Sequence, residues 1–193
     1  MKTAIFGGTF NPIHTAHLAM ARAAADIFGL DRVLFIPAGN PPHKETGTPY
    51  EHRFRMVEIA CAVDPRFVPS RIEEGSAKSY SIVTIEKLKP AGGQLFFIIG
   101  SDAFEEITTW FRWQDVLKSV EFIVVSRPGH KITVPEGARV HKLETVELPV
   151  SSSEIRRALA AGLTPEVVPV EVLRYIRENK LYGVQAGFSG RAR

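Results

Sequence analysis

Four short runs of β-prone apolar residues constrain how this chain can fold: TAIF (3–6), RVLFIP (32–37), QLFFIIG (94–100) and EFIVVS (121–126). Each run is continuous, not alternating, so both faces of each strand must be covered. That pattern belongs to a parallel sheet buried between helices. The segments between the runs have helical spacing. His17 to Phe28 sets Leu18, Ala21, Ala25 and Phe28 on one stripe. Tyr50 to Val63 turns Phe54, Val57, Ile59 and Ala60 inward and is closed by Asp64-Pro65-Arg66. Ser81 to Leu88 stops at Lys89-Pro90 and Gly92-Gly93. Strand–helix alternation predicts an α/β fold: a Rossmann-like, doubly wound parallel sheet with helices on both faces.

The C-terminal quarter predicts a small helical cap within residues 151–182. SSSEIRRALAAG (151–162) has a serine N-cap, Glu154 in its first turn and Gly162 as a stop. PVEVLRYIREN (169–179) has Pro169 at its start. Residues 1–183 read as one domain and 184–193 as a fraying tail. The longest loop is GNPPHKETGTP (39–49), and loops of that length are often functional.

An apolar share of 45% supplies a sizeable core, and a net charge of +3 is too mild to announce a nucleic-acid partner. The single cysteine, Cys61, lies in the helical pattern MVEIACAV and reads as a buried structural thiol with no disulfide partner. No secretory h-region or membrane-length apolar stretch is visible, so a cytoplasmic protein that engages neither membrane nor nucleic acid is expected. The pattern is compatible with a homo-oligomer.

The segment GGTFNPIHTAH (7–17) leaves the first strand and enters the first helix. Ligands of open α/β sheets bind at that edge. Gly7 and Gly8 allow close backbone approach, Thr9 adds a hydroxyl, and the helix brings the positive end of its dipole. Together these favour an anion. The loop is neither G-x-x-x-x-G-K-[ST] nor G-x-G-x-x-G. In their place it offers His14 and His17, which face one ligand if the helix starts near Thr15; they can donate hydrogen bonds and can carry charge. A plain turn with capping histidines is the bland alternative. A metal pair is another, and it would need further ligands that no H-E-x-x-H or second cysteine provides.

GGTFNPIHTAH resembles the signature of the H-x-G-H nucleotidyltransferase superfamily, with Ala16 in place of the motif's glycine. His14 favours the pyridine-nucleotide branch over the pantetheine-phosphate branch. SSSEIRRAL (151–159) resembles the I-S-S-T-x-I-R motif, with Val150 and Ser153 as departures. Other segments are similar to the bacterial nicotinate mononucleotide adenylyltransferases: PAGNPPHK (37–44), SYSIVTIEKL (79–88), IGSDAFEEITTWFRW (99–113) and VVSRPG (124–129).

This resemblance implies adenylyl transfer from ATP to nicotinate mononucleotide, with release of pyrophosphate. The mononucleotide phosphate would attack the α-phosphorus in line, without a general base. His14, His17 and Arg156 would be the catalytic charge stabilisers. Gly7, Gly8, Thr9, Phe10, Gly100, Asp102, Ser151, Ser152 and Ile155 would complete the ATP site. Lys44, Tyr80, Ser81, Trp110 and Arg127 would hold the mononucleotide, with Trp110 against the pyridine ring and Trp113 in the core. Mg²⁺ would be held mainly by ATP phosphates. The alternatives are a nicotinamide mononucleotide or phosphopantetheine adenylyltransferase, a non-catalytic nucleotide-binding protein, and a class I aminoacyl-tRNA synthetase, which has a similar H-x-G-H loop but also a K-M-S-K-S-type loop not seen here.

Overall fold

The computed structural model describes residues 1–41, 46–88, 93–145 and 150–184. Lys44 and the tail from 185 onward lie outside the described residues. The strands are β1 (Lys2–Gly8), β2 (Arg32–Pro37), β3 (Phe67–Pro69), β4 (Gln94–Gly100), β5 (Glu121–Ser126) and β6 (Val140–Glu144). The helices are α1 (Thr15–Phe28), α2 (Tyr50–Cys61), α3 (Ser81–Leu88), α4 (Ser101–Glu105), α5 (Trp113–Ser119), α6 (Ser152–Ala160) and α7 (Val170–Glu178). Every strand pairing is parallel, and the order across the sheet is β3-β2-β1-β4-β5-β6.

The continuous apolar runs are explained by two cores, one on each face. Ala4, Phe6, Val33, Phe35, Phe96, Ile98, Ile123 and Val125 join α1, α2, α6 and α7 in the first. The intervening residues Ile5, Leu34, Ile36, Leu95, Phe97, Ile99, Phe122 and Val124 join α3, α4 and α5 in the second. Side chains alternate between faces with period two, so a strand buried on both sides must be apolar throughout. The C-terminal helices share the first core through Ile155, Leu159, Val172 and Ile176.

Some boundaries differ from the expectation. α1 begins at Thr15, with His14 at its N-cap, and β1 runs on through Gly7 and Gly8. In α2 Ile59 is only half-buried, while Arg53, Met56 and Cys61 are buried. A charged residue occupies a core position there, and apolar periodicity could not flag it. β3 is three residues long, and β6 (VHKLE) lies at the sheet edge with a mostly polar sequence, so neither stood out as an apolar run. Burial pushes the Cys61 thiol up to about 12, which makes it inert near neutral pH. Among the described residues, no helix is long and apolar enough to cross a membrane.

The sheet order reverses between β1 and β4: the chain leaves β1 for β2 on one side and returns to β4 on the other. The carboxyl ends of those two strands open the crevice where such sheets bind ligands. Beside it, the loop after β2 is wedged tightly. A Cβ at Gly39 would overlap the Glu73 carbonyl oxygen. Gly39→Ala is expected to destabilise the fold by about 1–3 kcal/mol through overpacking. Urea unfolding checks this; an unchanged midpoint would show that the 70–76 turn yields freely.

Candidate active site

The loop between β1 and α1 is fixed by bonds from distant parts of the chain. Phe10 adopts φ 46°, a left-handed conformation that side chains disfavour, so its surroundings must hold it. Arg53 Nη1 on α2 donates to the Thr9 carbonyl at 2.9 Å. Arg156 Nη1 on α6 donates to the Asn11 carbonyl at 2.8 Å, and Ser152 Oγ donates to the Pro12 carbonyl at 3.1 Å. The Tyr182 hydroxyl donates to Asn11 Oδ1 at 2.7 Å, and the Thr15 N–H reaches the Val167 carbonyl at 2.8 Å. The Phe10 ring is buried against Phe6 and Phe35 and meets the His17 ring edge-on at 5.1 Å. A Cβ at Gly8 would lie 3.1 Å from that ring, so a side chain there would crowd it.

Above this loop lies a cleft of about 640 Å³. Gly7, Gly8, Thr9, Phe10, His14 and His17 are among its lining residues, as are Gly100, Asp102, Arg127, Ser151, Ser152, Ser153 and Arg156. The two motifs that lie some 140 residues apart in sequence therefore face one space. α6 starts with a capping box: Ser151 Oγ accepts from the Glu154 N–H, and Glu154 Oε2 accepts from the Ser151 N–H. The amides of Ser152 and Ser153, in the first turn, have no intrahelical acceptor and are suited to an anion.

The histidine rings stack 3.7 Å apart. Burial lowers His14 to about 4. Burial, then the neighbouring His14, lowers His17 well below its ordinary 6.5. Near neutral pH both are neutral donors, not the cations the sequence allowed. His17 Nδ1 accepts from the His14 N–H at 3.2 Å, which leaves the ring proton on Nε2. His14 Nδ1 is buried without a partner.

A second cavity, about 250 Å³, adjoins the first. Ile36, Phe97, Ile98, Ile99 and Trp110 give it flat apolar walls, and Glu73, Ser79 and Ser81 give it polar ones. Trp110 packs edge-on against Phe97 at 5.9 Å. Glu73 Oε1 accepts from Thr84 Oγ1 at 2.6 Å. Gly7, Gly8, Thr9 and Gly100 line both cavities, so the spaces meet at the sheet's switch point.

Most of the residues singled out in the sequence converge on these cavities; some do not. Ile155 is 2% exposed in the core, and its N–H is spent on the Ser151 carbonyl. It lines neither cavity, because the apolar position of a helix start faces inward. Tyr80 also lines neither; its ring packs on Phe111 at 4.6 Å. The Ser152 hydroxyl holds the loop and leaves its backbone amide for a ligand. Trp113 is half-buried against the second core. Arg53, Asn11, Glu73 and Tyr182 were not anticipated. Their roles rest on contacts across 44 to 171 residues, or on a pocket wall, and no local pattern signals them.

The fold and this paired crevice define an α/β nucleotidyltransferase, and the cytidylyltransferase-like family model matches residues 5–158. A relative in Solibacter usitatus, named as a probable nicotinate-nucleotide adenylyltransferase, is 57% identical over 94% of this chain and all of its own. One of the same name in Pelobacter propionicus is 42% identical over 94% of this chain and 98% of its own. The fold is also that of a Plasmodium falciparum nicotinic acid mononucleotide adenylyltransferase solved with NaAD, at a TM-score of 0.79 and 19% identity, covering 96% of this chain and 99% of that one. The chain belongs to the nicotinate-nucleotide adenylyltransferases and is an enzyme of NAD biosynthesis.

The neutral histidines predict a pH dependence. The unfolded chain gains protons on both rings as pH falls below about 6.5, whereas folded His14 resists until about 4. Stability is therefore full above about 6.5 and falls between there and about 4, by about 3 kcal/mol for His14 alone. Urea unfolding across that range checks the sign: His14→Asn should flatten the wild-type slope, and equal slopes would contradict the burial account.

Proposed function

We propose that this chain transfers the adenylyl group of ATP to nicotinate mononucleotide, giving nicotinate adenine dinucleotide and pyrophosphate. The observation that carries the reading is the junction of the two cavities at Gly7, Gly8 and Thr9. A triphosphate in the larger cleft and a pyridine mononucleotide in the smaller one would bring their phosphates together there. Relatives named for this activity at up to 57% identity support it, as does a structural neighbour of the same fold solved with APC. Residues 1–183 act in this reading as one catalytic domain.

The reaction needs no base, because the attacking phosphate is already anionic near neutral pH. The chain supplies position and charge stabilisation. His17 Nε2–H and His14 meet the oxygens around the α-phosphorus, with Thr9 beside them. Arg156 and the free amides of α6 receive the departing pyrophosphate. Asp102, at the start of α4, accepts from the ATP ribose. Trp110 lies along the pyridine ring, with Ser81 at its polar edge and Arg127 toward the phosphates. Mg²⁺ enters with ATP as part of the substrate. Asp102 is the one carboxylate among the described residues that line the larger cleft, and no group of three metal-binding side chains occurs among the described residues. Such a donor set suits an ion held by phosphate oxygens and water. The protein works in the cytoplasm.

His17→Ala removes the Nε2–H donor and is expected to lower kcat about a hundredfold while the fold survives. Pyrophosphate release from ATP and nicotinate mononucleotide measures it. A near wild-type rate would remove His17 from the mechanism.

A further inference from the structure

Arg53 is 1% exposed, yet among the described residues no carboxylate pairs with it, as a buried charge ordinarily requires. Its Nη1 and Nε donate to the carbonyls of Thr9 at 2.9 Å and Thr48 at 3.2 Å, and its guanidinium lies 5.5 Å from the Tyr50 ring centroid. These are neutral acceptors. The carboxylates of the neighbourhood are engaged elsewhere: Glu51 and Glu74 with Arg71, and Glu73 with Thr84. Among the described residues, none pairs with Arg53. Burial disfavours its charged form.

A neutral donor could tie down one carbonyl without that desolvation penalty, so the charge calls for a reason. The location supplies one. Thr9, whose carbonyl Arg53 holds, lines both cavities. The guanidinium therefore stands one peptide behind the place where two phosphates would meet. Low-dielectric surroundings let a charge act strongly over such a distance.

We propose that Arg53 is a positioning residue whose buried charge is compensated by phosphates bound on the far side of the Thr9 peptide, so that anion binding and loop order are coupled. The inference rests on the nucleotide reading of the site. It assigns to α2, which contributes no residue to the lining of either cavity, part of the affinity for polyanions.

The test compares the wild type with Arg53→Met and Arg53→Lys by thermal unfolding, without ligand and with saturating ATP or inorganic tripolyphosphate. The ligand-induced rise in midpoint decides the matter. Arg53→Met should lose at least half of that rise, whatever its ligand-free midpoint, which also registers the lost bonds to Thr9 and Thr48. Its KM for ATP should climb about tenfold, a typical coupling between sites, with kcat changed far less. Arg53→Lys keeps the charge and should keep most of the rise; it carries the test alone if the Met variant does not fold. A full ligand-induced rise in the Met variant, or its loss in the Lys variant, would overturn the proposal. Failure of the wild type to release pyrophosphate from ATP would instead refute the reading beneath it, while the tripolyphosphate measurement would still judge Arg53.

Discussion

The site depends on the tie between α6 and the first loop. Arg156 and Ser152 donate to successive carbonyls, those of Asn11 and Pro12, and so join the end of β1 to a helix that follows it by about 140 residues. Without this tie the loop would be a turn with two histidines, and α6 an ordinary capped helix. Joined, they become facing walls of one cleft. Arg53 and Tyr182 secure the same loop from α2 and the C-terminal turn, and the disfavoured backbone of Phe10 is held within that frame. Donors must stand where charge will develop before the reaction begins, and a loop over-determined in this way meets that need.

Electrostatics follow from the packing. The stacked histidines are held neutral by burial, so in the proposed reaction they would offer a phosphate directed N–H donation, not net charge. Positive charge at the cleft comes from the guanidinium groups of Arg156 and Arg127, the dipole of α6 and, behind the loop, Arg53. This division has a physical advantage. Two adjacent imidazolium ions would repel each other in the empty site, whereas neutral rings can stack and still point a proton at an oxygen.

Much of the fold was legible because it rests on periodicity. A strand covered on both faces must be apolar throughout, and β2, β4 and β5 fall on the residues read from the letters. The short β3 and the edge strand β6 carry too little apolar signal to be read this way. The loop, both histidines and the α6 motif stood out as local clusters of glycine, hydroxyl and basic residues, and the fold brings them to one cleft. Motif membership does not say which way a side chain faces: the helix turns Ile155 into the core. Likewise the Tyr80 ring packs on Phe111, a contact no local pattern announces. Arg53 was invisible because a buried arginine breaks no local rule in the sequence; only the fold reveals that its neighbour is Thr9.

The account's central claim is that two cavities meeting at Thr9 hold ATP and a pyridine mononucleotide. Pyrophosphate release from ATP with three acceptors in turn tests it most directly: nicotinate mononucleotide, its amide, and phosphopantetheine. The account predicts the highest kcat/KM with nicotinate mononucleotide and little turnover with phosphopantetheine, which has no flat ring to lie against Trp110. Preference for phosphopantetheine, or no pyrophosphate with any acceptor, would contradict it.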